Sequence, residues 1–274
     1  MPDPIRLEIA DGVAIATLNH PPMNLLDMEL LPAIGELADR IADDDTVRVL
    51  VLQSANPDFF IAHGDVNTLL TIPENAAPER SESIPWVHAT LDKLRTIPKV
   101  TIAKVEGFAR GGGSETALAC DMRFATIDKA VFGQPEIGLG ILPGAGGTVR
   151  LTQLVGRARA SEIIFGGDDF SAEEAERLGW INRALPESEI GPYVEKLARR
   201  IARFPASAIA EIKSVMVEVE QNTLDLFRDE QLGFDRCMAS EDARRLMQRF
   251  VDRGLQTPEG ERSVGASLPS LSDN

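Results

Sequence analysis

From Ile5 the chain runs through two short, mostly apolar stretches in IRLEIADGVAIATLN, with Asp11-Gly12 between them. That pattern predicts two short strands joined by a tight turn. Between Leu25 and Ala42, Leu30, Ile34, Leu37 and Ile41 recur at helical spacing, and VRVLVLQS, apolar from Val49 to Leu52, then predicts a buried strand. A further strand-like stretch, VTIAKVEGFA, runs on to three glycines, Gly111 to Gly113. Strand and helix in alternation imply crossover connections and a largely parallel sheet, in which sites form at the ends of strands.

From about Ser161 the pattern becomes helical. SAEEAERLGW opens with Ser171 and carries Glu174 three residues on, a capping box. Amphipathic stretches follow at Tyr193 to Arg203, Ala206 to Val219 and Leu224 to Phe250. The segment from Gln256 to Asn274 is rich in Gly, Ser, Pro and charge, so a flexible tail is expected there.

Composition narrows the classes of function. With 274 residues, 43% hydrophobic and 26% charged, the chain has the make-up of an ordinary globular protein. A formal net charge of −15 argues against a general nucleic-acid or anionic-membrane surface, since both partners select basic patches. No apolar run approaches the roughly 20 residues of a membrane span. Two cysteines, Cys120 and Cys237, without a leader-like start, point to a cytoplasmic protein with no disulfide framework.

The candidate chemistry lies in two glycine-rich stretches. In GFARGGGSETALACD, Gly107 to Asp121, the triplet directly precedes Ser114 and Glu115. Two readings are open: a loop with an acidic helix start that suits the dipole, or a set of uncovered N–H groups able to hold a developing negative charge beside a carboxylate. The second stretch, FGQPEIGLGILPGAGGTVRL, supplies Glu136 after Pro135 and another glycine-rich turn before a helix. Neither stretch completes a dinucleotide fingerprint, a phosphate loop or a nucleophile elbow. His20, His63 and His88 lack metal-ligand spacing, so no metal is expected. Two glutamates converging on one water would divide acid and base roles in adding or removing water at a double bond.

These two stretches, followed by GGDDFSAEEAERLGWINRALP, resemble the signature of the crotonase, or enoyl-CoA hydratase/isomerase, superfamily, from about Ile5 and more loosely to about Gly254. The resemblance implies an α/β fold: a spiral of β-β-α repeats over residues 1–205 carrying an acyl-CoA site, and a helical region for oligomerisation over 206–255. Residues 256–274 remain the expected tail. It also implies a coenzyme A thioester as substrate with no separate cofactor, and assembly as a homotrimer or homohexamer. Gly64 and Gly112 match the positions whose N–H groups form the family's oxyanion hole. Glu115 and Glu136 match its paired catalytic glutamates, and Ala62, His63, Asp65, Gly111, Pro135 and Gly144 are expected to border the substrate. His63 stands where the family usually has glycine. The retained pair favours hydration of a 2-enoyl-CoA. Enoyl isomerisation, another crotonase-type acyl-CoA reaction and acyl-CoA binding without turnover are the alternatives.

Overall fold

The structure is a computed structural model and describes residues 3–73, 78–220 and 223–272. Strands β1 (Ile5–Ala10) and β2 (Val13–Leu18) form the antiparallel hairpin predicted around Asp11-Gly12, and Asp11 takes a φ of 52° in the turn. Helix α1 (Leu30–Asp43) starts at the first of its periodic apolar residues, where Asp27 Oδ1 accepts the N–H groups of Glu29 and Leu30 at 2.9 and 2.8 Å. β3 (Val49–Ser54), β4 (Phe59–Ile61), α2 (Val66–Leu70) and α3 (Trp86–Thr96) follow.

The stretch read as one strand before the glycines is two, β5 (Val100–Val105) and β6 (Phe108–Arg110), in different sheets. Gly107 lies at the break. A Cβ there would stand 2.2 Å from the Asp58 carbonyl oxygen, so only glycine lets the chain turn against that backbone. Helix α4 (Gly112–Leu118), β7 (Met122–Thr126), β8 (Val131–Gly133) and a 3₁₀ turn (Pro135–Leu139) come next. They lead into α5 (Gly147–Val155), α6 (Arg157–Gly166), β9 (Asp169–Ser171), α7 (Ala172–Leu178) and β10 (Arg183–Leu185). The capping box forms at α7 as read: Ser171 Oγ accepts from Glu174 N and Glu174 Oε2 from Ser171 N.

One sheet has the order β1-β2-β3-β5-β7-β10 and is parallel from β2 onward, and the other has the order β4-β6-β8-β9. Successive turns of the chain place one strand in the first sheet, a short one in the second and then a helix, which is the spiral of β-β-α repeats. The main core lies between the sheets and α1, α4 and α7, with Trp180 fully buried against Phe132 and Phe170. Helix α8 (Glu187–Ile201) covers the outer face of the larger sheet through Ile190, Val194 and Ala198.

The C-terminal pattern resolves into α9 (Ala206–Val219), α10 (Thr223–Met238) and α11 (Glu241–Asp252). The stretch read as continuous to Phe250 breaks at Ser240, which is extended and caps α11 through Ala243 N. The expected flexible tail is folded over residues 256–272, as α12 (Pro258–Glu261), α13 (Val264–Ser267) and a final 3₁₀ turn (Pro269–Ser272). Its apolar residues are too sparse to show a period, yet Val264, Leu268 and Leu271 are at most 4% exposed and pack with Phe250 and Leu139. Among the described residues, no helix is long and apolar enough to cross a membrane.

Candidate active site

The glycine triplet ends β6 and opens α4. Gly111 holds a φ of 44°, and a Cβ on it would lie 2.5 Å from Glu136 Oε1, while one on Gly113 would lie 2.0 Å from the Ile61 carbonyl oxygen. Gly111 is thus demanded by its left-handed φ and Gly113 by the close approach of the Ile61 backbone. The middle one, Gly112, is the first residue of α4, so its N–H has no acceptor within the helix. A Cβ on Gly112 would stand 3.2 Å from Gly64 N, which puts the two backbone segments face to face on the wall of one cavity.

Gly64 belongs to the loop after β4. Leu26 N donates to His63 O at 2.9 Å and Asp65 N to Leu26 O at 3.1 Å, so the loop is stitched to the chain leaving β2. Arg110 N donates to Ala62 O at 3.1 Å, tying it to the triplet's own strand. Asp65 is engaged in capping α2, accepting from Asn67 N, Thr68 N and Thr68 Oγ1, and it also accepts from Gln256 Nε2 at 2.6 Å. Among the residues expected beside the substrate, His63, Asp65, Pro135 and Gly144 line the cavity, whereas Ala62 packs with Met23 and Phe59, and Gly111 backs onto Glu136.

Glu115 and Glu136 both line this cavity of about 680 Å³, at 3% and 8% exposed. Glu115 Oε1 accepts from Ala145 N and Gly147 N, each at 2.7 Å, on the turn that opens α5. Burial first, and then the charge of Glu230, push the Glu115 carboxyl up to about 7, against the pull of those two amides. Glu136 Oε2 has no hydrogen-bond partner among the described residues. Burial, reinforced by the neighbouring Glu115, holds Glu136 well above the usual carboxylate range. The two acids therefore differ: one is anchored by the amides of a second turn and titrates near neutrality, the other leaves one oxygen without a partner and favours its proton. Donors that border the same cavity as a pair of such acids can stabilise an oxyanion while protons are exchanged beside it.

The remaining walls come largely from residues that carry no signal in the sequence. Leu26 stands behind the Gly64 loop, Phe234 on α10 and Phe250 on α11 close the apolar side, and Trp86, 47% exposed, stands at the rim. Phe234 fits because position 144 is glycine, where a Cβ would lie 2.5 Å from its ring. Behind the Gly64 loop, the His63 ring turns to Glu261, with Nε2 3.0 Å from Oε2, and Nδ1 lies 2.7 Å from Gly64 O. Arg110 also binds Glu261, and it forms a two-pronged pair with Asp169 at 2.6 and 2.8 Å. Glu261 thus joins the residue before Gly64 to the residue before the triplet. No group of His, Cys, Asp and Glu among the described residues could hold a metal ion.

A sequence profile of the enoyl-CoA hydratase/isomerase family matches residues 8–258. The chain is 34% identical to the crotonyl-CoA hydratase of Syntrophomonas wolfei and 33% identical to the short-chain-enoyl-CoA hydratase of Clostridium acetobutylicum, in each case over 91% of this chain and 95% of the relative. The crystal structure of a candidate enoyl-CoA hydratase from Streptomyces avermitilis superposes with a TM-score of 0.91 at 35% identity, over 99% of both chains.

Proposed function

The chain belongs to the enoyl-CoA hydratase/isomerase family, and on that premise we propose that it is an enoyl-CoA hydratase, adding water reversibly across the 2,3 double bond of a 2-enoyl-CoA thioester. The observation that carries this reading is the pair of buried acids, Glu115 and Glu136, lining the same cavity as the facing Gly64 and Gly112 backbones.

In this reading the thioester oxygen lies between the N–H groups of Gly64 and Gly112, which stabilise it as electron density moves from C3 toward the carbonyl. Glu115, held by Ala145 N and Gly147 N, accepts a proton from water as its oxygen bonds to C3. Glu136, which favours its proton, delivers it to C2 as the enolate collapses. Each turnover leaves Glu115 protonated and Glu136 ionised, and exchange with solvent restores the starting state. Coenzyme A arrives as part of the substrate, so the reading invokes no separate cofactor. Loss of the conjugated thioester absorbance on adding crotonyl-CoA tests it, and conversion of a 3-enoyl-CoA to the 2-enoyl isomer without hydration would select the isomerase instead.

Assembly follows from α9. Ile212, Val215, Met216 and Val219 form one helical stripe, 62 to 78% exposed, while Lys213 pins the opposite face to Lys99 O and Asp121. Within the region 206–255 this helix is the part we assign to contacts in a homotrimer or homohexamer, since α10 and α11 close the cavity. Sedimentation as a monomer at micromolar concentration would contradict that assignment. Cys120 and Cys237 are both unpaired thiols, which fits the reducing cytoplasm proposed as its location.

A further inference from the structure

Glu230 is a third buried acid in this region, 5% exposed, on a helix that the sequence presents as an ordinary amphipathic one. Its oxygens lie on the turn that anchors Glu115. Glu230 Oε2 accepts from Gly146 N at 2.7 Å and Oε1 from Val149 N at 2.9 Å, while Glu115 Oε1 takes the alternate amides, Ala145 N and Gly147 N. Two carboxylates thus share the amides at the start of α5, one from each side of the turn.

We propose that Glu230 is the positioning residue for Glu115: it fixes the far side of the turn that holds the catalytic carboxylate and places a second acidic group beside it. The proposal rests on the hydratase reading for the role of Glu115, but not for the geometry.

The groups around the pair are few. Glu115 faces Glu136 from the 3₁₀ turn, Glu230 from α10 and Arg150 from α5. Glu230 also meets His88 from α3, whose Nε2 lies 2.8 Å from Oε2. Arg150 donates to Ala145 O at 2.9 Å, so it grips the same turn, and its guanidinium is drawn outward by Asp92 at 3.4 Å, beside Arg95. Arg150 is therefore shared between this turn and Asp92. The repulsion between Glu115 and Glu230 adds to burial in raising the Glu115 carboxyl.

A neutral residue at 230 and a residue that merely loosens the turn would act on Glu115 in opposite directions. Removing the charge lowers its proton affinity. Losing the Ala145 and Gly147 amides raises it. The test is an infrared titration of the protonated Glu115 carboxyl band, assigned by its absence in Glu115→Gln. In Glu230→Gln the midpoint should fall by about one pH unit from its value near 7, with kcat reduced a few-fold and KM within about twofold. An unchanged or higher midpoint would overturn the proposal. Glu230→Asp keeps the charge and serves if the Gln variant does not fold. Its midpoint should stay within about half a unit of the wild type, and a fall as large as one unit would show that the charge is not the cause. The band reports on Glu115 whether or not the protein hydrates an enoyl-CoA, so absence of hydratase activity would defeat the functional reading without touching this result.

Discussion

Glu261 and Glu115 lie equally deep in the molecule, 0% and 3% exposed, yet their surroundings are opposed. At Glu261 burial would raise the carboxyl, but the contacts with His63 and Arg110 outweigh it and hold the group below its ordinary range. The reverse holds at Glu115, where two amides and a shared arginine do not offset burial and two further acids stand nearby. Buried charge is costly unless it is paired. The Glu261 cluster is paired and so behaves as a fixed strut behind the Gly64 loop. The Glu115 cluster is left underpaired where the cavity opens, and that keeps protons exchangeable near neutral pH.

The largest effect expected from this contrast is on turnover. Glu115→Gln and Glu136→Gln should each lower kcat by about 10²–10⁴-fold, the scale of losing a general acid or base, with KM little changed in steady-state assays. The double variant should lose much less than the product of the two, because the acids act as a unit. Two active single variants would remove the distinction between the clusters.

Breaking the paired cluster should instead cost stability. Arg110→Met leaves Glu261 buried with His63 alone and should lower the unfolding free energy by about 3–5 kcal/mol in urea titrations. An effect below about 1 kcal/mol would mean that the pairing is not what secures the segment.

The two regions should also differ in the sign of their pH dependence. Glu115 has a raised folded value, so its contribution is intact below the ordinary 4.5 and is lost as pH rises through about 7. Glu115→Gln should therefore gain stability over wild type across that window, by roughly 1–3 kcal/mol. Glu261 has a lowered value, so its contribution is present above 4.5 and lost as pH falls through the folded value. His63 has a raised one, because Glu261 and the Gly64 carbonyl outweigh its burial, and its contribution is lost as pH rises through a value above 6.5. Glu261→Gln should accordingly be least stable relative to wild type between those limits, and thermal melts across pH 4 to 8 that moved both variants alike would contradict the contrast.

The legibility of these regions follows from how local their signals are. Gly111 to Gly113 and Pro135-Glu136 carry their chemistry in adjacent residues, and the Asp11-Gly12 turn and the apolar run of β3 mark those strands without help from distant parts of the chain. Glu230 and Glu261 carry no such mark. An acid in an amphipathic helix, or in a segment rich in Gly and Ser, reads as a solvated charge, and its burial depends on contacts such as His88 to Glu230, 142 residues apart. Arg110 likewise reads as a solvated charge beside the glycines, whereas its partners lie 59 and 151 residues away. The break of the strand at Gly107 depends on the Asp58 backbone, which no pattern near the glycine reveals.

The most direct test of the underpaired acids as a hydration site is the pH dependence of crotonyl-CoA hydration by the wild-type protein, followed by the loss of enoyl-thioester absorbance. The account predicts a rate that rises through a midpoint near 7 as Glu115 becomes able to accept the proton of water. No hydration at any pH, or a rate that is flat from pH 5 to 9, would contradict it.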